Sequence, residues 1–140
     1  MAPTTLEALV ARARAQPTTE HLQELWRAIF FRKAWYFLPS RADDGPAFPT
    51  ATAVDGEPWL LAFTSVRYLE ELADRTGRRG ADGTVPLLVL DPGASMDRIL
   101  AVGDHLAGVI FNFDTEATVR APLHALEAYA HHFGVPLSPQ

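Results

Sequence analysis

Apolar residues recur along this chain at two different periods, and the change of period divides it. From Leu6 to Phe30 the repeat is helical. Leu6, Leu9, Val10 and Ala13 form one stripe, and Leu22, Leu25, Trp26, Ile29 and Phe30 form a second. Thr4-Thr5-Leu6-Glu7 predicts a capping box, with Thr4 accepting from the Glu7 backbone N–H and Glu7 reaching back to that of Thr4. Pro17 stops the first helix, and Thr18 or Thr19 caps the second. These signals predict a helical hairpin over 4–33 whose apolar stripes need a sheet to cover them.

After Lys33 the runs shorten. Ala34 to Leu38 is a short aromatic run ended by Pro39, which predicts a strand. Ser40 to Pro49 is rich in Asp, Gly and Pro and predicts a loop. Thr50 to Val54 is a weaker strand, and Asp55-Gly56 supplies the positive φ of a type I′ hairpin turn. The second arm runs from Glu57 to Ser65. Trp59, Leu61 and Phe63 point one way and Leu60, Ala62 and Thr64 the other, so a central strand buried on both faces is expected.

Thr64 or Ser65 caps a helix with Val66, Leu69, Leu72 and Ala73 inward, closed by Gly77. Pro86 to Leu90 is another strand with two apolar faces. Asp91-Pro92-Gly93 turns it into a helix with Met96, Ile99 and Leu100 inward, which Gly103 ends. Gly108 to Phe113 is a third such strand. Asp114 or Thr115 caps a final helix with the stripe Val119, Leu123, Leu126, Ala130 and Phe133. Pro122 either kinks that helix or opens a helix proper after a short turn. The fold class is therefore α+β with an α/β-like second half. The helical hairpin precedes a mixed sheet of about five strands, built from a β-hairpin followed by β-α-β-α-β-α. One domain spans 1–140, with the sheet-and-helix core over 34–134.

Composition narrows the chemistry. The 140 residues contain no cysteine, which removes thiolate nucleophiles, disulfides and Cys-type zinc sites. A net charge of -5 argues against broad phosphate-backbone binding, so no nucleic-acid partner is expected. No apolar run is long enough to cross a bilayer, and Met1 to Thr5 lacks the basic start of a secretory signal. A cytoplasmic location without membrane contact is the expectation.

The order of elements resembles the N-terminal domain of SseB-like proteins. The residues that carry this are Trp35-Tyr36-Phe37-Leu38-Pro39, the hairpin turn Asp55-Gly56 leading to Leu61-Ala62-Phe63-Thr64-Ser65, a following helix with Leu69, and Leu88-Val89-Leu90-Asp91-Pro92-Gly93. The likeness covers Thr19 to Phe113, with Asp91 where the family more usually has Asn. It implies an α+β or α/β domain of a bacterial protein with an accessory or protein-interaction role. It implies no catalytic residue set.

Two sets of candidate residues follow. In an open sheet, ligands favour the crevice beyond the carboxyl ends of parallel strands. Thr64, Ser65, Asp91, Asn112 and Asp114 stand at those ends and could share a rim for a hard cation or polar ligand. The alternative role for Thr64, Ser65, Asp91 and Asp114 is local, as helix caps or turn formers. The second set is aromatic: Trp35, Tyr36 and Phe48 flank the long Pro/Gly loop, where aromatics serve as interface anchors or as core. His124, His131 and His132 have weak ligand spacing, Ser65 lacks the G-x-S-x-G flanks, and Gly77-Arg78-Arg79-Gly80 is no phosphate loop. No catalytic residue, resident metal or cofactor is assigned. The reading is a non-enzymatic accessory or interaction domain that binds a protein partner or its own copy, with a ligand-binding rim as the alternative. Enzymatic activity is left open without a motif to support it.

Overall fold

The structure is a computed structural model, and it describes residues 5–39, 51–77, 81–85 and 87–135. In chain order the elements are α1 (Leu6–Ala15), α2 (Thr19–Phe30), β1 (Trp35–Phe37), β2 (Ala51–Val54), β3 (Glu57–Ala62), α3 (Val66–Arg75), β4 (Leu88–Leu90), α4 (Pro92–Ala101), β5 (Gly108–Phe111), β6 (Val119–Pro122) and α5 (Leu123–His132). A short 3-10 turn, Gly103–His105, follows α4. No described helix is long and apolar enough to cross a membrane.

The caps explain where the helices begin. Thr5 accepts from Ala8 N–H, Thr18 from His21 N–H, Ser65 from Tyr68 N–H and Asp91 from Ala94 N–H. Thr5 thus opens α1; Thr4, where the capping box was expected, lies outside the described residues. α1 and α2 pack as the expected hairpin.

Four strands form one sheet in the order β2-β3-β5-β6, and β1 pairs with β4 in a second. β2 and β3 are joined by Asp55 (φ 53) and Gly56 (φ 81), the two positive φ values of a type I′ turn. β3 runs parallel to β5, with Leu60 opposite Val109 and Ala62 opposite Phe111. Beyond the last residue of β3, Tyr36 and Phe63 exchange both backbone hydrogen bonds at 2.8 Å. The β1–β4 pair is therefore an extension of the main sheet, and it takes over the edge of β3 that β2 occupies earlier.

Both faces of β3 are buried, from Trp59 at 9% exposed to Phe63 at 0%. Trp26 of α2 meets Phe111 edge-on at 5.7 Å and stacks on Tyr129 of α5 at 5.3 Å, so α2 and α5 cover one face. Leu61 faces Leu72 of α3 across a small cavity on the other face. Two expectations fail here. Leu88–Leu90 is not a central strand: β4 lies at the edge, and Val89 is 53% exposed. Val119 to Pro122 is not helical but is strand β6, antiparallel to β5. Asn112 (φ 56) and Asp114 (φ 61) reverse the chain, and the Thr115 and Thr118 hydroxyls both donate to Asn112 O, which closes a turn where a helix would start. A helix does begin at Leu123, right after Pro122, and it buries Leu126 and Ala130.

A polar cluster ties α1 to α3 and to the β5–β6 turn. Tyr68 donates its phenol proton to Glu7, and Arg67 lies 3.7 Å from both Glu7 and Glu116. The Tyr68 hydrogen bond, its largest cause, holds the Glu7 carboxyl below its ordinary value. Burial first, then the Glu7 bond, pushes the phenol up to about 12. A depressed carboxylate stabilises the fold above its unfolded value and loses that contribution as pH falls through the folded one. A raised phenol does so below 10 and loses it as pH rises towards about 12. Tyr68→Phe is expected to cost about 1 kcal/mol near neutral pH, the low end for a bond to a charged group that water partly reaches. Urea titrations of both proteins should show this difference shrinking as pH falls below the ordinary carboxylate range and through the depressed Glu7 value.

Candidate functional site

The sheet places the rim residues at one end, but they do not converge. Thr64 and Asn112 do meet. Asn112 is 0% exposed; its Oδ1 accepts from Thr64 N–H at 2.9 Å, and its Nδ2 donates to Thr64 Oγ1 at 3.0 Å. That amide is used up holding the ends of β3 and β5 together. Ser65 caps α3, and Asp91 caps α4 at the end of β4, separated from β3 by β1. Asp114 is exposed and lies 3.7 Å from Arg75. Among the described residues, no group of three His, Cys, Asp or Glu could hold a metal ion. His131 lies 4.0 Å from Glu127, one turn away on α5.

The aromatic candidates also separate. Trp35 is 0% exposed, donates its indole N–H to Ile29 O at 2.8 Å, and meets Phe111 edge-on at 4.8 Å. It belongs to the core and cannot anchor a partner from there. Tyr36 is half-buried, paired with Val89 across β1 and β4. Phe48 lies outside the described residues.

A different aromatic is presented to solvent. Phe31 directly follows α2 and is 60% exposed. It stands at the lip of a cavity of about 410 Å³ between the ends of α2 and α5 and the start of α4. Phe30 and Phe133 form the floor, and Pro92, Gly93 and Val135 the walls. Phe133 lies 6.1 Å from Phe31 and 6.2 Å from Tyr129, so a row of rings leads from the core to the open surface. Arg27 lies over the Phe31 ring at 5.3 Å, and Arg32 and Lys33 line the same cavity.

The helical pattern of α2 contained a signal for this surface. Leu22, Leu25, Trp26, Ile29 and Phe30 fill the inward stripe, so Phe31 falls about 100° past its edge. An apolar residue off the stripe and next to Arg32-Lys33 is a candidate anchor.

Together these features define a class: an α+β domain with a mixed sheet, a closed polar junction at the strand ends, and an aromatic groove open at one corner. No model of a protein family matches the chain, and no curated protein does.

Proposed function

We propose that this chain is a non-enzymatic, SseB-like accessory domain that binds another protein, and that the groove at Phe31 is where it binds. The carrying observation is the 60% exposure of Phe31 at the mouth of a ring-floored cavity. Interface anchors are typically aromatics that fill or border such a pocket. Among the described residues two large hydrophobics are exposed, Phe31 and Val89, and of these Phe31 adjoins this cavity. The resemblance to SseB-like proteins, which implies an accessory or protein-interaction role, is in keeping with the same reading.

The test is affinity capture from the source cells with wild type, Phe31→Ser and Val89→Thr, each checked for an unchanged circular dichroism spectrum. The expected result is a partner recovered by wild type and Val89→Thr, and reduced roughly tenfold or more by Phe31→Ser. Equal recovery by all three proteins would refute the groove as the docking site.

A further inference from the structure

We infer that the Phe31 groove takes an acidic segment of another protein, one with an apolar anchor beside carboxylates; this rests on the docking reading above. The whole chain carries a net charge of -5, yet two cations line the groove and a third lies over its Phe31 ring. Arg27 covers the Phe31 ring, and Arg32 and Lys33, the chain's single lysine, line the cavity. Among the described residues Asp91 is the one acidic residue lining it, and its carboxylate accepts from Ala94 N–H at the start of α4. That helix also presents Pro92 and Gly93 of its first turn to the cavity, which adds positive potential on the opposite wall.

The charge has a direction. A neighbouring cavity of about 310 Å³ between α2 and α5 shares Phe133 with the groove but is lined by Glu20 and Glu24 together with Arg27. Glu24 is paired with Arg12 at 2.8 Å and Arg27 offsets Glu20 there, so the excess positive charge lies at the Arg32–Lys33 end. The carboxylates of a bound segment therefore lie over Arg32 and Lys33, with its apolar side chain against Phe31 and Phe133. Oppositely charged rims raise the association rate and discriminate between partners, whereas the apolar anchor supplies affinity.

Three fluorescent peptides test this by anisotropy: a Phe-Leu pair flanked by glutamates, the same pair flanked by lysines, and the pair flanked by serines. The acidic peptide is expected to bind at least about tenfold tighter than the lysine peptide, with the serine peptide between them and the gap closing at high salt. Lys33→Glu should lose roughly tenfold for the acidic peptide alone, and Phe31→Ser should lose binding of all three. Both positions are exposed, so folding is retained, and circular dichroism checks it. Equal binding of the three peptides overturns the acidic preference while leaving a docking groove in place. No binding by any peptide overturns the inference as well, and the capture experiment then decides the broader reading separately. Sedimentation velocity on wild type and Phe31→Ser identifies a second copy: a dimer lost in the variant overturns the proposal in favour of self-association. Binding that emerges only when residues 136–140 are removed makes that segment the occupant and also overturns it.

Discussion

Gly108→Ala is expected to destabilise the fold by about 2–3 kcal/mol, although it adds only one methyl group. Gly108 opens β5, the strand held between β3 and β6, opposite Trp59 on one side and Pro122 on the other. A Cβ there would overlap the Ala121 carbonyl oxygen, and it would lie 2.6 Å from Trp59 Cζ3 and 2.8 Å from Pro122 Cα. The Trp59 ring could turn, at the cost of its contact with Arg120, whose guanidinium lies 5.1 Å over it. The other two neighbours are backbone, so relief requires β6 to move away from β5 and stretch their ladder. Alanine also restricts the unfolded chain, a gain of about 0.5–1 kcal/mol, which is too small to reverse the sign.

A double variant separates these causes. If the ring were the main obstacle, Trp59→Leu would restore the stability of Gly108→Ala. Because the backbone contacts remain, the double variant is expected to be no more stable than Gly108→Ala. Urea midpoints at constant slope measure all of this. Wild-type stability in Gly108→Ala would show that β6 does not lie in this register against β5. It would also favour the helix expected from Thr115, which would leave Gly108 with an open edge.

Why a helix was expected there is a matter of periods. Val119, Leu123, Leu126 and Ala130 are spaced four, three and four residues apart, which is helical spacing. The first of them reaches this pattern by coincidence, because a strand of four residues is too short to display its own period of two. Pro122 was the discordant residue, and it marks the boundary between strand and helix. By contrast β3 was legible because the short apolar run Trp59 to Phe63 follows the Asp55-Gly56 turn and is apolar at both alternating sets of positions, as a strand covered on both sides is. Asp55-Gly56, Thr18, Ser65 and Asp91 were legible because each does its work within three residues of itself. Position in the sheet is not local. Leu88 to Leu90 looks as apolar as β3, and only its pairing with β1 makes it an edge. The sites divided in the same way. Trp35 and Phe37 share one face of β1 and Tyr36 the other, an alternation readable in advance, but no pattern says which face meets the core. Phe31 was missed because attention to stripes passes over the residue that falls off one.

Asn112→Ala is expected to cost about 2–4 kcal/mol, the highest upper bound of any single change considered. Two terms add. The Thr64 N–H, buried at the junction of β3 and α3, loses its acceptor, and an unsatisfied buried group of this kind costs about 1–3 kcal/mol. Alanine must also hold the left-handed φ of 56° that asparagine tolerates, at about 1 kcal/mol. Asn112→Gly removes the second term and keeps the first, so it should recover less than about 1 kcal/mol relative to alanine. Asn112→Asp keeps an acceptor for Thr64 N–H, but a carboxylate cannot donate to Thr64 Oγ1 as the native amide does. Burial raises a carboxyl's folded value above about 3.9, so that variant is most stable relative to wild type at low pH and worsens as pH rises through the folded value. Urea titrations of the three variants across pH give the ordering. These effects occur with no ligand present, and they bear directly on what the junction is for. A polar pair kept for a ligand holds unmet hydrogen-bonding capacity and loses little fold stability when truncated. Asn112 and Thr64 instead spend their capacity on each other and on joining β3, β5 and α3, the opposite arrangement to the open ring of Phe31. If Asn112→Ala proved as stable as wild type, the junction would be free to serve a ligand and the rim would have to be reconsidered.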